Sequence, residues 1–186
     1  MTHLVHLASG SPRRLQLLNG AGFDVVRIPS APEPPLPAQG DGVEQALASA
    51  SAKLPETGEG VLLSADTVVH LDGRCLGKPT NAEDAATMLR RLMGREHQVT
   101  TAVVLRCGDR VESFAVTSDV RFNALSDEAI RRYVASGEPM DKAGAYGIQG
   151  LGAVLVDSVR GSQSNVVGLP VPETVEALAR FDVRPR

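Results

Sequence analysis

Val61 to Leu71 is an apolar run of the kind that becomes a buried strand, and it is interrupted in the middle by Ser64-Ala65-Asp66-Thr67. A carboxylate carried into such a strand loses its hydration and persists only with hydrogen bonds, a cationic partner or a metal. The fold must therefore build a polar site around Asp66. Directly after the run, Asp72-Gly73 predicts a hairpin turn back into Cys75-Leu76. Twelve residues beyond Asp66 comes Lys78, in Leu76-Gly77-Lys78-Pro79, and the hairpin brings the two into one neighbourhood. The bland alternative is a structural ion pair between adjacent strands.

The remaining elements predict a mixed α/β fold with a central sheet and flanking helices. Leu4 to Ala8 reads as a buried strand leading into a helix with Ser11 as N-cap and Pro12 in its first position, ended by Gly20 and Gly22. Val25 to Ile28 is a second strand, Pro29 to Gly40 a proline-rich loop with one charge, Glu33, and Val43 to Leu54 a helix. Asn81 caps a helix that runs to about Met93, with Glu83 and Asp84 in its first turn. Gln98 to Arg106 and Val111 to Phe122 alternate around Cys107-Gly108-Asp109 as a long antiparallel hairpin. Ser126 to Ala135 is a further capped helix, Gly137 to Gly152 a glycine-rich loop, Ala153 to Asp157 a strand and Pro172 to Phe181 a closing helix.

Composition narrows the function. The 186 residues suit one domain of ordinary size or two small lobes around a cleft. A net charge of −3 argues against a cationic groove for polymeric nucleic acid, and four Phe, two Tyr and no Trp leave little for base-stacking platforms. Cys75 and Cys107 have no metal-binding or disulfide-framework spacing. With no apolar run near the roughly 20 residues that span a bilayer and no leader-like N-terminus, the expectation is a cytoplasmic protein without membrane association. Of the 19 basic residues only three are lysines, Lys53, Lys78 and Lys142. A chain that otherwise uses arginine keeps lysine where a compact ammonium is wanted, or by chance.

Three stretches can carry chemistry. Ser9-Gly10-Ser11-Pro12-Arg13-Arg14 sits at a strand-to-helix junction, where free backbone N–H groups, the helix dipole and forked arginine donors suit a phosphate; a merely well-capped helix with solvated arginines is the alternative. Asp66 with Lys78 is the second, and Glu33 offers another oxygen to a hard cation such as Mg²⁺, unless it is an ordinary exposed glutamate. The third is Asp141 to Gly150, whose small residues admit a flat ligand and whose Gln149 can present an amide edge to a base, or else form only a turn. His3, His6, His70 and His97 share no ligand spacing, and no nucleophilic triad stands out.

The segments LASGSPRR, SADTVV, LGKP, DKAGAYGIQG and NVVGLP, in that order along nearly the whole chain, resemble the Maf family of nucleotide pyrophosphatases. The glutamine-bearing DKAGAYGIQG resembles the dTTP/UTP subgroup rather than the one acting on 7-methyl-GTP. The resemblance implies that residues 1–186 form a single Maf-like domain of two lobes around a cleft, similar to inosine triphosphate pyrophosphatases. It also implies a nucleoside triphosphate substrate, a divalent metal cation (Mg²⁺, Mn²⁺ or Co²⁺) and a homodimer. Carried over residue by residue, it makes Asp66 the general base and a metal ligand. Arg13, Thr67 and Gln149 become specificity positions, Lys53 and Lys78 phosphate-binding positions, and Glu33 a second metal ligand, while Ser9 and Arg14 bind substrate as part of the phosphate cradle read from the residues themselves. The chain departs from the family in having Pro32-Glu33-Pro34 where an Asp-Glu pair is usual, and Gln163 where an aromatic often stands. Two other classes remain open: a nucleotide-binding regulator of cell division, for which Asp66 is dispensable, and a purine-directed hydrolase of the same fold, which a substrate panel separates.

Overall fold

The computed structural model describes residues 2–32 and 40–186, so Glu33 lies outside the described residues. Seven strands form one mixed sheet: β1 (Leu4–Ala8), β2 (Asp24–Ile28), β3 (Leu62–Leu71), β4 (Arg74–Leu76), β5 (Glu96–Cys107), β6 (Arg110–Phe122) and β7 (Val156–Arg160), in the order β2-β1-β3-β5-β6-β7 with β4 paired to β3. The helices are α1 (Pro12–Gly20), α2 (Gly42–Lys53), α3 (Ala82–Leu92), α4 (Asp127–Ala135), α5 (Gln163–Val167) and α6 (Val171–Ala179). Local signals are realised closely. Ser11, Asn81 and Ser126 each cap the following helix through the side chain. Asp72 and Gly73 take φ of 52° and 71°, the left-handed pair that a two-residue hairpin turn requires.

The pairing of β3 creates the cleft. On one side it is bonded to β5 without interruption from Leu62 to His70. On the other, its start pairs in parallel with β1 (His6 with Leu62, Leu7 with Leu63) and its end pairs antiparallel with β4 (Val69 with Leu76 to Leu71 with Arg74). Between these two partners the edge from Ser64 to Val68 has no neighbouring strand among the described residues. Asp66 and Thr67 sit in that stretch. Consecutive strand residues point to opposite faces, yet both line one cavity, which an unpaired sheet edge permits.

Apolar packing holds the two sides of this gap. Val5, Leu7, Leu18, Leu63, Leu169 and Leu178 join α1 and α6 to the β1 side. Leu76, Leu89, Leu92, Phe122, Ile130 and Leu155 join α3 and α4 to the other. Helix α2 lies across β3 and β5 on small residues, Ala46 and Ala50, against Leu62, Val68, Ala102 and Val104. A Cβ on its first residue, Gly42, would meet the His70 ring at 2.5 Å. This close approach, together with a Ser64 Oγ bond to the Ala50 carbonyl at 2.7 Å, brings the end of α2 over Asp66.

Two expectations need correction. The glycine-rich stretch is coiled into three short 3₁₀ turns, at Glu138–Asp141, Ala143–Ala145 and Gly150–Leu155, and the strand expected at Ala153 to Asp157 is β7, Val156–Arg160. Backbone N–H groups at Leu151 and Gly152 are bonded to the Glu138 carboxylate, which holds the start of a turn that runs on to Leu155. Helix α5 was not expected; Ser162 caps it and Gly168, at φ 132°, ends it.

Candidate active site

The cleft has a volume of about 850 Å³ and is lined by Ser9, Arg13, Arg14, Lys53, Asp66, Thr67, Lys78 and Gln149. Every site residue expected from the sequence lies there except Glu33, which is outside the described residues. All three lysines of the chain line it, Lys142 included. The cleft thus gathers three compact ammonium groups, the charge type suited to a multiply charged anion.

Asp66 is buried, and its Oδ1 accepts a bond from Lys53 Nζ at 2.5 Å. The sequence suggested Lys78 as the neighbouring cation; Lys78 lines the same cleft, but the ammonium paired with the carboxylate comes from the last residue of α2. The other oxygen, Oδ2, is buried with no hydrogen-bond partner among the described residues. An acceptor-only atom in that state is costly, and it fits a cation or a water to be activated. No group of three or more His, Cys, Asp or Glu able to cage a metal occurs among the described residues. The acceptor-only Oδ2, without a partner among the described residues, is the kind of oxygen donor that fits a hard cation whose remaining ligands come from substrate phosphates and water.

Arg14 is buried and braces the wall of the site. Its Nε donates to the Gly168 carbonyl at 2.8 Å, Nη1 to Ser9 Oγ at 3.2 Å and Nη2 to Thr67 Oγ1 at 3.0 Å. One planar fork thereby joins the β1–α1 loop, β3 and the end of α5, a task lysine cannot copy. Thr67 Oγ1 continues to Thr101 Oγ1 at 2.9 Å, and Thr101 is bonded to Asn165 through both its N–H and its hydroxyl. Asn165 is fully buried, with its amide also donating to the Val99 carbonyl and Ser118 Oγ. Nothing in the sequence reading singled out Asn165 beyond its place in NVVGLP.

Arg13 spans the cleft mouth, with Nη1 donating to Asp141 Oδ2 at 3.1 Å, while Lys142 Nζ donates to Asp141 Oδ1 at 2.6 Å. Burial raises the Asp141 carboxyl, but bonds to Lys142 and Arg13 outweigh it and leave the group below its ordinary range. Tyr146, also in the cleft lining, meets Phe122 and His97 edge-on, and its hydroxyl is 2.7 Å from His97 Nε2. Burial, with a smaller push from His70, lowers His97 to about 4, so the ring is neutral at pH 7. Burial also pushes the Tyr146 phenol up.

The family model described as Maf-like protein matches residues 4–181. The chain belongs to the Maf family. Among its curated Maf relatives, the dTTP/UTP pyrophosphatase of Bacillus velezensis is 48% identical over 188 residues, covering 99% of this chain and 100% of that protein. The dTTP/UTP pyrophosphatases of Shigella boydii serotype 4 and Escherichia coli O157:H7 are each 49% identical over 187 residues, covering 98% of this chain and 94% of theirs. The mixed open sheet flanked by helices is the architecture expected of a Maf protein.

Proposed function

We propose that this Maf protein, acting as a single domain over residues 1–186, hydrolyses dTTP and UTP, and modified pyrimidine nucleotides of the same shape, to the monophosphate and pyrophosphate. The observation that carries the reading is the buried Oδ2 of Asp66, without a hydrogen-bond partner among the described residues, in a cleft lined by all three lysines of the chain. Near-full-length identity to proteins named for this activity supports it.

The triphosphate is an anion of several charges, and Lys53, Lys78, Lys142 and Arg13, all in the cleft lining, face it. Water attacks the α-phosphorus. Asp66 Oδ2 takes its proton while Oδ1 stays anchored on Lys53, and the bond between the α-phosphorus and its bridging oxygen breaks to release pyrophosphate. Asp66, with Glu33 from outside the described residues, would hold a divalent cation, which supplies charge neutralisation on the phosphates when bound. No covalent intermediate is needed. Gln149 reads the base, since uracil and thymine present an acceptor beside a donor and a carboxamide matches both. A homodimer and a cytoplasmic location belong to the same proposal; sedimentation velocity checks the first and cell fractionation the second.

A panel of nucleoside triphosphates, read by pyrophosphate release, tests the reading together with Asp66→Asn. The expected result is turnover of dTTP and UTP well above CTP and the purines, with Asp66→Asn slower by at least about a hundredfold, the scale of a lost general base, and still binding nucleotide. A preference for purines, or near-normal turnover by Asp66→Asn, refutes it.

A further inference from the structure

The stretch carrying Gln149 is held on both flanks by one pair of side chains outside the cleft lining. Tyr133, on α4, accepts a bond from the Gly147 N–H at 3.2 Å and donates its hydroxyl to Glu138 Oε1 at 3.0 Å. Glu138 in turn accepts from the Leu151 N–H through Oε2 at 2.9 Å and from the Gly152 N–H through Oε1 at 3.0 Å. Three backbone donors, two residues before Gln149 and two and three after it, thus converge on one phenol–carboxylate pair.

The glycines show how closely the backbone is drawn in. A Cβ at Gly152 would meet the Gly147 carbonyl oxygen at 2.2 Å and the Tyr133 hydroxyl at 2.8 Å, and one at Gly150 would meet Glu138 Oε2 at 2.8 Å. Gly150 also takes φ of 67°, which favours glycine. The carboxylate is itself poised to accept: burial raises it, but the bonds from Leu151, Gly152 and Tyr133 outweigh that and leave it below the ordinary glutamate range. Finally, Lys142 Nζ donates to the Glu138 carbonyl at 2.5 Å, so the pair is tied through Lys142 to Asp141, which Arg13 contacts.

We propose that Glu138 and Tyr133 are positioning residues for base selection: by closing residues 147–152 into a fixed ring they set the orientation of Gln149, and with it the preference for uracil and thymine over cytosine. An amide on a loose loop can turn to offer either order of donor and acceptor, so it discriminates poorly; one on a fixed backbone leaves the wrong base with unpaired polar groups. The inference rests on Gln149 reading the base, and the test separates the two ideas.

Wild type, Glu138→Gln, Tyr133→Phe and Gln149→Glu are compared for kcat and KM on UTP and CTP at a temperature well below each unfolding midpoint. Glu138→Gln keeps the shape but replaces one accepting oxygen with a donor, and Tyr133→Phe keeps the buried ring but removes the hydroxyl that joins Gly147 to Glu138. Each is expected to lower the UTP/CTP ratio of kcat/KM at least about fivefold, through a raised KM for UTP, with kcat at saturation changed less than about threefold. If both variants keep the wild-type ratio while Gln149→Glu loses it, the positioning role is wrong and base reading by Gln149 stands. A lowered kcat and unfolding midpoint with the ratio unchanged also overturns the role, leaving only a structural one. A wild type that does not prefer UTP to CTP, or a Gln149→Glu variant that keeps the preference, removes the reading beneath it, and the inference falls too.

Discussion

The Lys53–Asp66 pair sets a measurable requirement on stability. Its side chains are 11% and 4% exposed and 2.5 Å apart, so the Asp66 carboxylate depends on the Lys53 ammonium for much of its compensation. Removing one partner of a buried pair costs about 3–5 kcal/mol, because the other is left uncompensated, whereas replacing both with uncharged groups is often close to neutral. Lys53→Met is therefore expected to destabilise the protein by about 3–5 kcal/mol. At about 2–4 °C per kcal/mol for a chain of this size, that is roughly a 10 °C fall in the unfolding midpoint. Lys53 also makes a further interaction, whose loss falls equally on every variant lacking the lysine. A double-mutant cycle with Asp66→Asn removes that common part. Urea unfolding followed by circular dichroism is expected to show Lys53→Met/Asp66→Asn at least about 2 kcal/mol more stable than the sum of the single losses implies. Additivity within about 0.5 kcal/mol would mean that the two charges do not depend on each other and that Lys53 acts only on substrate.

Chelation by excess EDTA is expected to abolish pyrophosphate release, with Mg²⁺, Mn²⁺ or Co²⁺ restoring it; full rate in chelator would leave the lysines as the main electrostatic element. Acid should weaken the fold through His97, lowered to about 4 when folded against about 6.5 unfolded. Between those values the unfolded chain binds the extra proton, so the stability held above pH 6.5 is lost as pH falls toward 4, by about 3 kcal/mol in all. His70, which burial also lowers, adds to the wild-type slope, so the difference from His97→Gln isolates the His97 share. Equal pH slopes in the two proteins would remove His97 as the cause.

What could be read in advance was chemistry local to the chain. Ser11-Pro12, Asn81, Asp72-Gly73 and Ser126 act within a few residues of themselves, and each produced the expected cap or turn. The scarcity of lysine pointed to the cleft because it reports a choice of charge type that needs no knowledge of the fold. The partner of Asp66 was not legible: Lys53 reaches it because α2 lies close to the sheet on Ala46 and Ala50, a tertiary fact. Glu138 went unnoticed for the same reason. Its carboxylate bonds Tyr133, Leu151 and Gly152, none of them a neighbour in sequence, and an isolated glutamate beside a proline gives no sign of it. The 3₁₀ turn directly before β7 carries these same Glu138 bonds rather than a periodic pattern, whereas short α5 rests on a local cap, Ser162.

The uninterrupted ladder between β3 and β5, running from Leu62 to His70, bears on how the enzyme can move. Both walls of the cleft are attached to that one spine, the first through β1 and the second through β4. A hinge has no place in the floor, because bending β3 at Asp66 would break rungs to β5 on the same residues. Any widening of the mouth must come from the walls, by stretching surface ties such as Arg13 to Asp141, while Asp66 stays put. Opening of the cleft and the position of Asp66 are in this way mechanically separate: the jaws can yield without displacing the buried carboxylate.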